Sequence, residues 1–114
     1  MKEIDRSELK QMMDEQENLV VLDVMRPDPY KKFHIPGAVN APVAFDDFEQ
    51  KASEAVGDKS TPVVVYCQDR NCPDSEDAAR RLDQAGFENV YDYKAGKDDW
   101  QQADEKLIAG PNPG

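Results

Sequence analysis

The hydrophobic positions of this chain fall into two rhythms. Residues 19–24 and Val63, Val64 and Val65 are short continuous runs of apolar, mostly β-branched residues, as strands buried on both faces would be. Residues 2–4, a stretch around residues 38–40 and residues 89–93 complete the expected strands. Between them the spacing changes to that of helices. Leu9, Met12 and Met13 share one face behind a cap at Asp5 or Ser7, and Asn18 ends that pattern. Phe45, Phe48, Ala52 and Ala55 give a second helix closing near Gly57. Ala78, Ala79, Leu82 and Ala85 give a third, with Asp74, Ser75, Glu76 and Asp77 at its start and Gly86 just beyond its end. Residues 98–102 begin a short last helix after a turn at Gly96. Residues 25–32 hold Pro27 and Pro29 and read as a loop, and residues 34–37 as a turn.

Strands that alternate with helices predict an α/β fold, a parallel sheet covered on both faces. No internal repeat and no linker interrupts the chain, so one domain is expected over residues 1–110, with 111–114 as a frayed tail. Ligands in such folds sit at the carboxyl ends of the strands. Cys67 falls there, between the valine strand and the helix that begins near Asp74. Backbone N–H groups on such a loop stabilise an anion, and a helix N-terminus lowers a thiol pKa. That combination predicts a nucleophilic thiolate.

Charge narrows the partners. Twenty-four acidic residues face fourteen basic ones in 114, a net charge of −10, which argues against nucleic acid and anionic membranes. No apolar run approaches the ~18 residues of a membrane span. Residues 1–14 are charged and helix-like with no apolar signal core, so a cytoplasmic location is expected. Two cysteines in such a chain point to chemistry or metal rather than a structural staple. Two thiols and the single histidine make a poor zinc set, since structural zinc takes four ligands, and no metal is expected.

Four pieces, in order, carry a resemblance. They are Leu22-Asp23-Val24 followed by Tyr30, His34-Ile35-Pro36-Gly37-Ala38-Val39-Asn40, Val64-Val65-Tyr66-Cys67, and Gly96 with Trp100 four residues on. Together they resemble the rhodanese family of sulfurtransferases over nearly the whole chain. The resemblance implies a single rhodanese-like domain with a five-stranded parallel sheet and helices on both faces. It implies that Cys67 accepts a sulfane sulfur as a persulfide and passes it to a nucleophile, with no metal or organic cofactor. The implied partners are small sulfur-donor anions or persulfides, with cyanide, a thiol or a protein cysteine as acceptor.

The departures from the family pattern shape the site. Met25 stands where the family usually has Arg, Phe33 where it has Gly before the His, and Ala95 where it has the first of two glycines. The active loop looks two residues longer than the common form, and Cys72 stands where that form ends on Arg, a Cys-x4-Cys variant. Without that Arg, phosphatase or arsenate reductase chemistry is disfavoured, because a phosphate dianion needs a bidentate partner. Arg70, the one cation inside the loop, is the candidate replacement. Cys72 is a candidate resolving thiol, a second persulfide site or an inert loop residue, and Pro73 suits the first helical position. Gln68, Asp69, Asn71 and Asp74 line the loop, and the backbone N–H groups of residues 68–73 are the expected cradle for the persulfide. Asp69 and Asp74 bring negative charge that raises a thiol pKa and repels thiosulfate. Asp23 is expected to tie down the loop after its strand, His34 to be a structural hydrogen-bonder, and Trp100 to be core or pocket wall. Sulfurtransferase is thus the expected activity. A thiol redox protein cycling a Cys67–Cys72 disulfide and a non-catalytic docking module remain as alternatives.

Overall fold

The structure is a computed structural model that describes residues 1–111. Strands β1 (Lys2–Glu3), β2 (Val20–Asp23), β3 (Val39–Asn40), β4 (Val63–Tyr66) and β5 (Val90–Tyr93) form one sheet in the order β1-β5-β4-β2-β3. Every pairing is parallel. The helices are α1 (Arg6–Glu15), α2 (Pro27–Lys32), α3 (Phe48–Val56), α4 (Asp74–Gln84) and α5 (Gly96–Gln102). The register places Asn40, Asp23, Tyr66 and Tyr93 side by side at the carboxyl ends of four strands.

Side-chain alternation along the strands builds two cores. Leu22, Val63 and Val65 face Phe48 and Ala52 of α3 and Ala78, Ala79 and Leu82 of α4. Val21, Val64 and Tyr66 face the other way, with Leu9 of α1 and Trp100 of α5. Each fully buried large side chain contributes ~1.5–3 kcal/mol through its removal from water. Continuous apolar runs are what a sheet covered on both faces requires, and β4 is buried at all four positions.

Local signals place most of the elements. Asp5, rather than Ser7, caps α1: its carboxylate accepts from the Glu8 N–H at 2.8 Å while Glu8 reaches back to the Asp5 N–H at 3.1 Å. Gly86, at φ +97°, closes α4, with the Phe87 N–H returning to the Leu82 carbonyl.

Two expectations are corrected. Residues 27–32 are a helix, not a loop. Pro27 and Pro29 both lie in its first turn, where the missing N–H groups would have had no intrahelical partner. The next helix starts at Phe48 rather than Phe45, which sits on a preceding turn and is 36% exposed beneath the Arg26 guanidinium. The expected tail at residues 111–114 lies outside the described residues from 112 onward.

Candidate active site

Cys67 follows the last residue of β4 and is 2% exposed, at the carboxyl edge of the sheet. Residues 68–73 then lead into α4. The start of this loop is pinned. The Lys97 and Asp98 N–H groups, in the first turn of α5, donate to the carbonyls of Cys67 and Gln68 at 3.0 and 2.8 Å. That approach requires glycine at position 96, where a Cβ would lie 2.6 Å from the Cys67 carbonyl oxygen.

Inside the loop, Asp69 organises a turn. Its carboxylate accepts from the Asn71 N–H at 3.0 Å and its carbonyl from the Cys72 N–H at 3.1 Å. The turn brings the two cysteines together, and they form a disulfide with Cα atoms 6.3 Å apart. A carboxylate oxygen of Asp74 lies within 4.8 Å of both sulfurs. The three donors could meet a soft cation only after reduction, because both sulfurs are committed to the disulfide.

The expected cradle is narrower than residues 68–73. Pro73 has no N–H, and the N–H groups of Asn71 and Cys72 are spent on Asp69. The amides of Gln68, Asp69 and Arg70 make no hydrogen bond among the described residues. The first turn of α4 adds orphan N–H groups beside them. Pro73 sits at the N-cap of α4 with φ −79°, one position earlier than expected.

Arg70 turns away from the interior. Its side chain is 62% exposed and reaches Glu3 of β1 at 3.6 Å. With Asp69 and Asn71 it lines an open depression of ≈ 280 Å³ against α5, whose other walls include Asp98 and Asp99.

Beneath the loop lies a buried polar network. Asp23 is fully buried; one carboxylate oxygen accepts from the Met25 N–H at 3.0 Å and the other from the Tyr66 hydroxyl at 2.9 Å. The Tyr66 hydroxyl in turn accepts from the Ile35 N–H at 3.0 Å. The Lys97 ammonium is 3.9 Å from Asp23 and donates to the Pro29 carbonyl at 3.1 Å. Burial raises the Asp23 pKa, and the nearby Lys97 charge opposes that rise. Burial likewise lowers the Lys97 pKa against the pull of Asp23. Asn40 straps the turn after β2 by donating to the carbonyls of Asp23 and Met25. His34 stacks on Tyr30 at 3.9 Å, and its Nδ1 lies 2.9 Å from the Tyr30 carbonyl oxygen.

A family model describing the rhodanese-like domain matches residues 5–103. The chain belongs to the rhodanese-like domain family. It is 34% identical over 98 residues to the putative sulfur carrier protein YrkF of Bacillus subtilis, covering 86% of this chain and 50% of that protein. It is 32% identical over 85 residues to the thiosulfate sulfurtransferase GlpE of Coxiella burnetii, covering 74% of this chain and 73% of that protein. The crystal structure of the Alr3790 protein from Anabaena sp. superposes with a TM-score of 0.82 at 27% identity, covering 94% of this chain and 80% of that one. The chain therefore spans half the length of the first of these relatives. No helix among the described residues is long and apolar enough to cross a membrane.

Within this rhodanese-like domain, Cys67, Cys72 and residues 68–73 gather at one sheet edge. Asp23 lies below them and His34 lies beside Tyr30. Trp100 belongs to the core on the opposite face, edge-on to Tyr93, with its indole N–H donating to the Lys106 carbonyl at 2.8 Å. The sequence reading missed Tyr66 and Lys97. Tyr66 carries a local signal, since it is the last residue of a strand otherwise made of valines. Lys97, flanked by Gly96 and Asp98, carries none.

Proposed function

We propose that this rhodanese-like domain is a sulfurtransferase that works in its dithiol state. Cys67 attacks the sulfane sulfur of a donor, and the donor's remaining group leaves: sulfite from thiosulfate, a thiolate from a persulfide. The Cys67 persulfide then yields its outer sulfur to a nucleophile such as cyanide, a small thiol or a protein cysteine. The observation that carries this reading is the position of Cys67, at the end of the central strand and directly before the loop and α4. Free amides of residues 68–70 and the N-terminal dipole of α4 supply partial positive charge for a thiolate or persulfide there. The thiosulfate sulfurtransferase name of a relative covered over 73% of its length points the same way. Reduction must come first, because the disulfide occupies the Cys67 sulfur.

The test uses protein reduced and desalted without oxygen. Incubation of the Cys72→Ser protein, whose Cys67 has no neighbouring thiol, with thiosulfate or separately with cysteine persulfide should add the mass of one sulfur atom and then give thiocyanate with cyanide. Cys67→Ser should add no sulfur and form thiocyanate at the uncatalysed rate, since a hydroxyl without an adjacent base is a far poorer nucleophile. Retention of most of the activity in that variant would remove Cys67 from the role.

A further inference from the structure

The loop holds a second thiol where the sulfur-transfer cycle has no use for one. Cys72 is partly buried and packs against the same apolar cluster as Cys67. Its N–H is fixed to the Asp69 carbonyl, and the rigid Pro73 follows at the head of α4. The Cys67 end is fixed by the two amides of α5. Two pinned ends with Cα atoms 6.3 Å apart bring the sulfurs together by the fold of the loop itself.

From this geometry we propose that the loop is a sulfane-sulfur reductase, releasing hydrogen sulfide and closing the Cys67–Cys72 disulfide. This rests on the sulfurtransferase reading for its first half, formation of the Cys67 persulfide. The Cys72 thiolate then attacks the Cys67 Sγ, the inner sulfur. The Cys72 Sγ–Cys67 Sγ bond forms and the bond from Cys67 Sγ to the sulfane sulfur breaks. The electron pair leaves with the sulfane sulfur, which keeps the persulfide proton and departs as hydrosulfide. The two cysteines are oxidised by two electrons and the sulfane sulfur is reduced by two. An external dithiol, either a small molecule or a reductant protein, restores the thiols and takes up the disulfide.

Two features favour this outcome over transfer to an outside acceptor. An intramolecular thiol held in place competes at a high effective concentration, of the order of 10⁵ M or more in well-oriented cases. The Asp74 carboxylate beside both sulfurs repels the hydrosulfide anion once it is free, which hinders its return to attack the disulfide.

The experiment is a single turnover without reductant. Reduced, desalted protein is mixed with one equivalent of cysteine persulfide, then analysed for sulfide by a trapping reagent and for intact mass. Wild type should release one sulfide per chain above the Cys67→Ser control and lose two hydrogens in mass. Cys72→Ser and, as a second choice matched to the apolar surroundings, Cys72→Ala should gain one sulfur atom, release no sulfide above that control, and yield thiocyanate when cyanide is added. Wild type that keeps the added sulfur, with neither sulfide nor disulfide, would overturn the reductase and leave the sulfurtransferase standing. Sulfide release undiminished in both Cys72 variants would overturn it equally. Failure of wild type and both Cys72 variants to take up sulfur or make thiocyanate would sink the sulfurtransferase reading, and the reductase with it.

Discussion

Gly96 shows how one residue can set the shape of a loop that lies a helix and a strand away in sequence. With φ +71° it adopts a conformation that side-chain-bearing residues avoid, and a Cβ there would meet the backbone of Cys67 and Gln68 at 2.6–2.9 Å. Those atoms are main chain and cannot swing aside. Gly96→Ala should therefore cost stability, ~1–3 kcal/mol for the forced overpacking alone. It should also push the loop off the two amides that hold it, and sulfur transfer should fall by at least ~10-fold, a small geometric loss for a positioned nucleophile. Urea unfolding and thiocyanate formation on one preparation check both effects. Normal activity with normal stability would show that the loop does not depend on this contact. At this scale the sequence was legible where the signal is local and opaque where it is not. The position of Cys67 between a buried strand and a helix could be read because a valine run, a cysteine and a helix start follow one another. Arg70 was a reasonable anion ligand from its place in the loop, yet it pairs with Glu3 of an edge strand that lies beside it only after folding. Lys97 is buried next to Asp23 through a contact across more than seventy residues, and nothing near it in sequence announces that.

Among the elements, the tie between α3 and α4 is the clearest electrostatic one. Arg81 of α4 makes two parallel bonds to the Glu49 carboxylate of α3, at 2.8 and 2.7 Å, and a third to the Val43 carbonyl at 3.0 Å. The bond from Arg81 holds the Glu49 pKa below its ordinary 4.5. A group whose folded pKa is depressed adds stability above its unfolded pKa, and that stability disappears as pH falls through the folded value. With the Glu49 side chain 42% exposed, solvent screens the pair and its contribution is ~0.5–1 kcal/mol. Glu49→Gln should therefore be less stable than wild type by about that amount at neutral pH, and the gap should narrow as pH drops below 4.5. Urea unfolding of both proteins through the acid range checks this, and a gap unchanged down the series would mean that packing of Arg81 on Phe48, not charge, makes the link. Element boundaries followed the same logic of local against distant information. Gly86 announced itself as a helix end, and Asp5 was one of two candidate caps for α1. The prolines of α2 pointed to a loop because a proline's effect depends on which turn of a helix it occupies, and the start of that helix was not visible.

At the scale of the whole molecule, charge and site disagree about anions. The loop after Cys67 and the head of α4 offer free amides and a positive dipole. The chain around them carries a net charge of −10, Asp69 and Asp74 lie in or beside the loop, and Arg70 is engaged with Glu3. A dianionic donor approaching from solution meets the long-range repulsive field first and the short-range amides only on contact. Salt screens the former within a Debye length of about 10 Å at 0.1 M and leaves contacts at bonding distance nearly intact. The kcat/KM for thiosulfate should therefore rise as salt increases, by several-fold and up to ~10-fold between low salt and roughly 0.5 M. Cysteine persulfide, with a smaller charge, should respond less and should be the better donor at low salt. Side-by-side rates against ionic strength decide the matter. If thiosulfate is instead favoured and its rate falls with salt, a local cation outweighs the net charge. Arg70→Ala would then identify it: loss of the salt dependence in that variant would assign Arg70 the anion-binding role, released from Glu3 when the donor arrives.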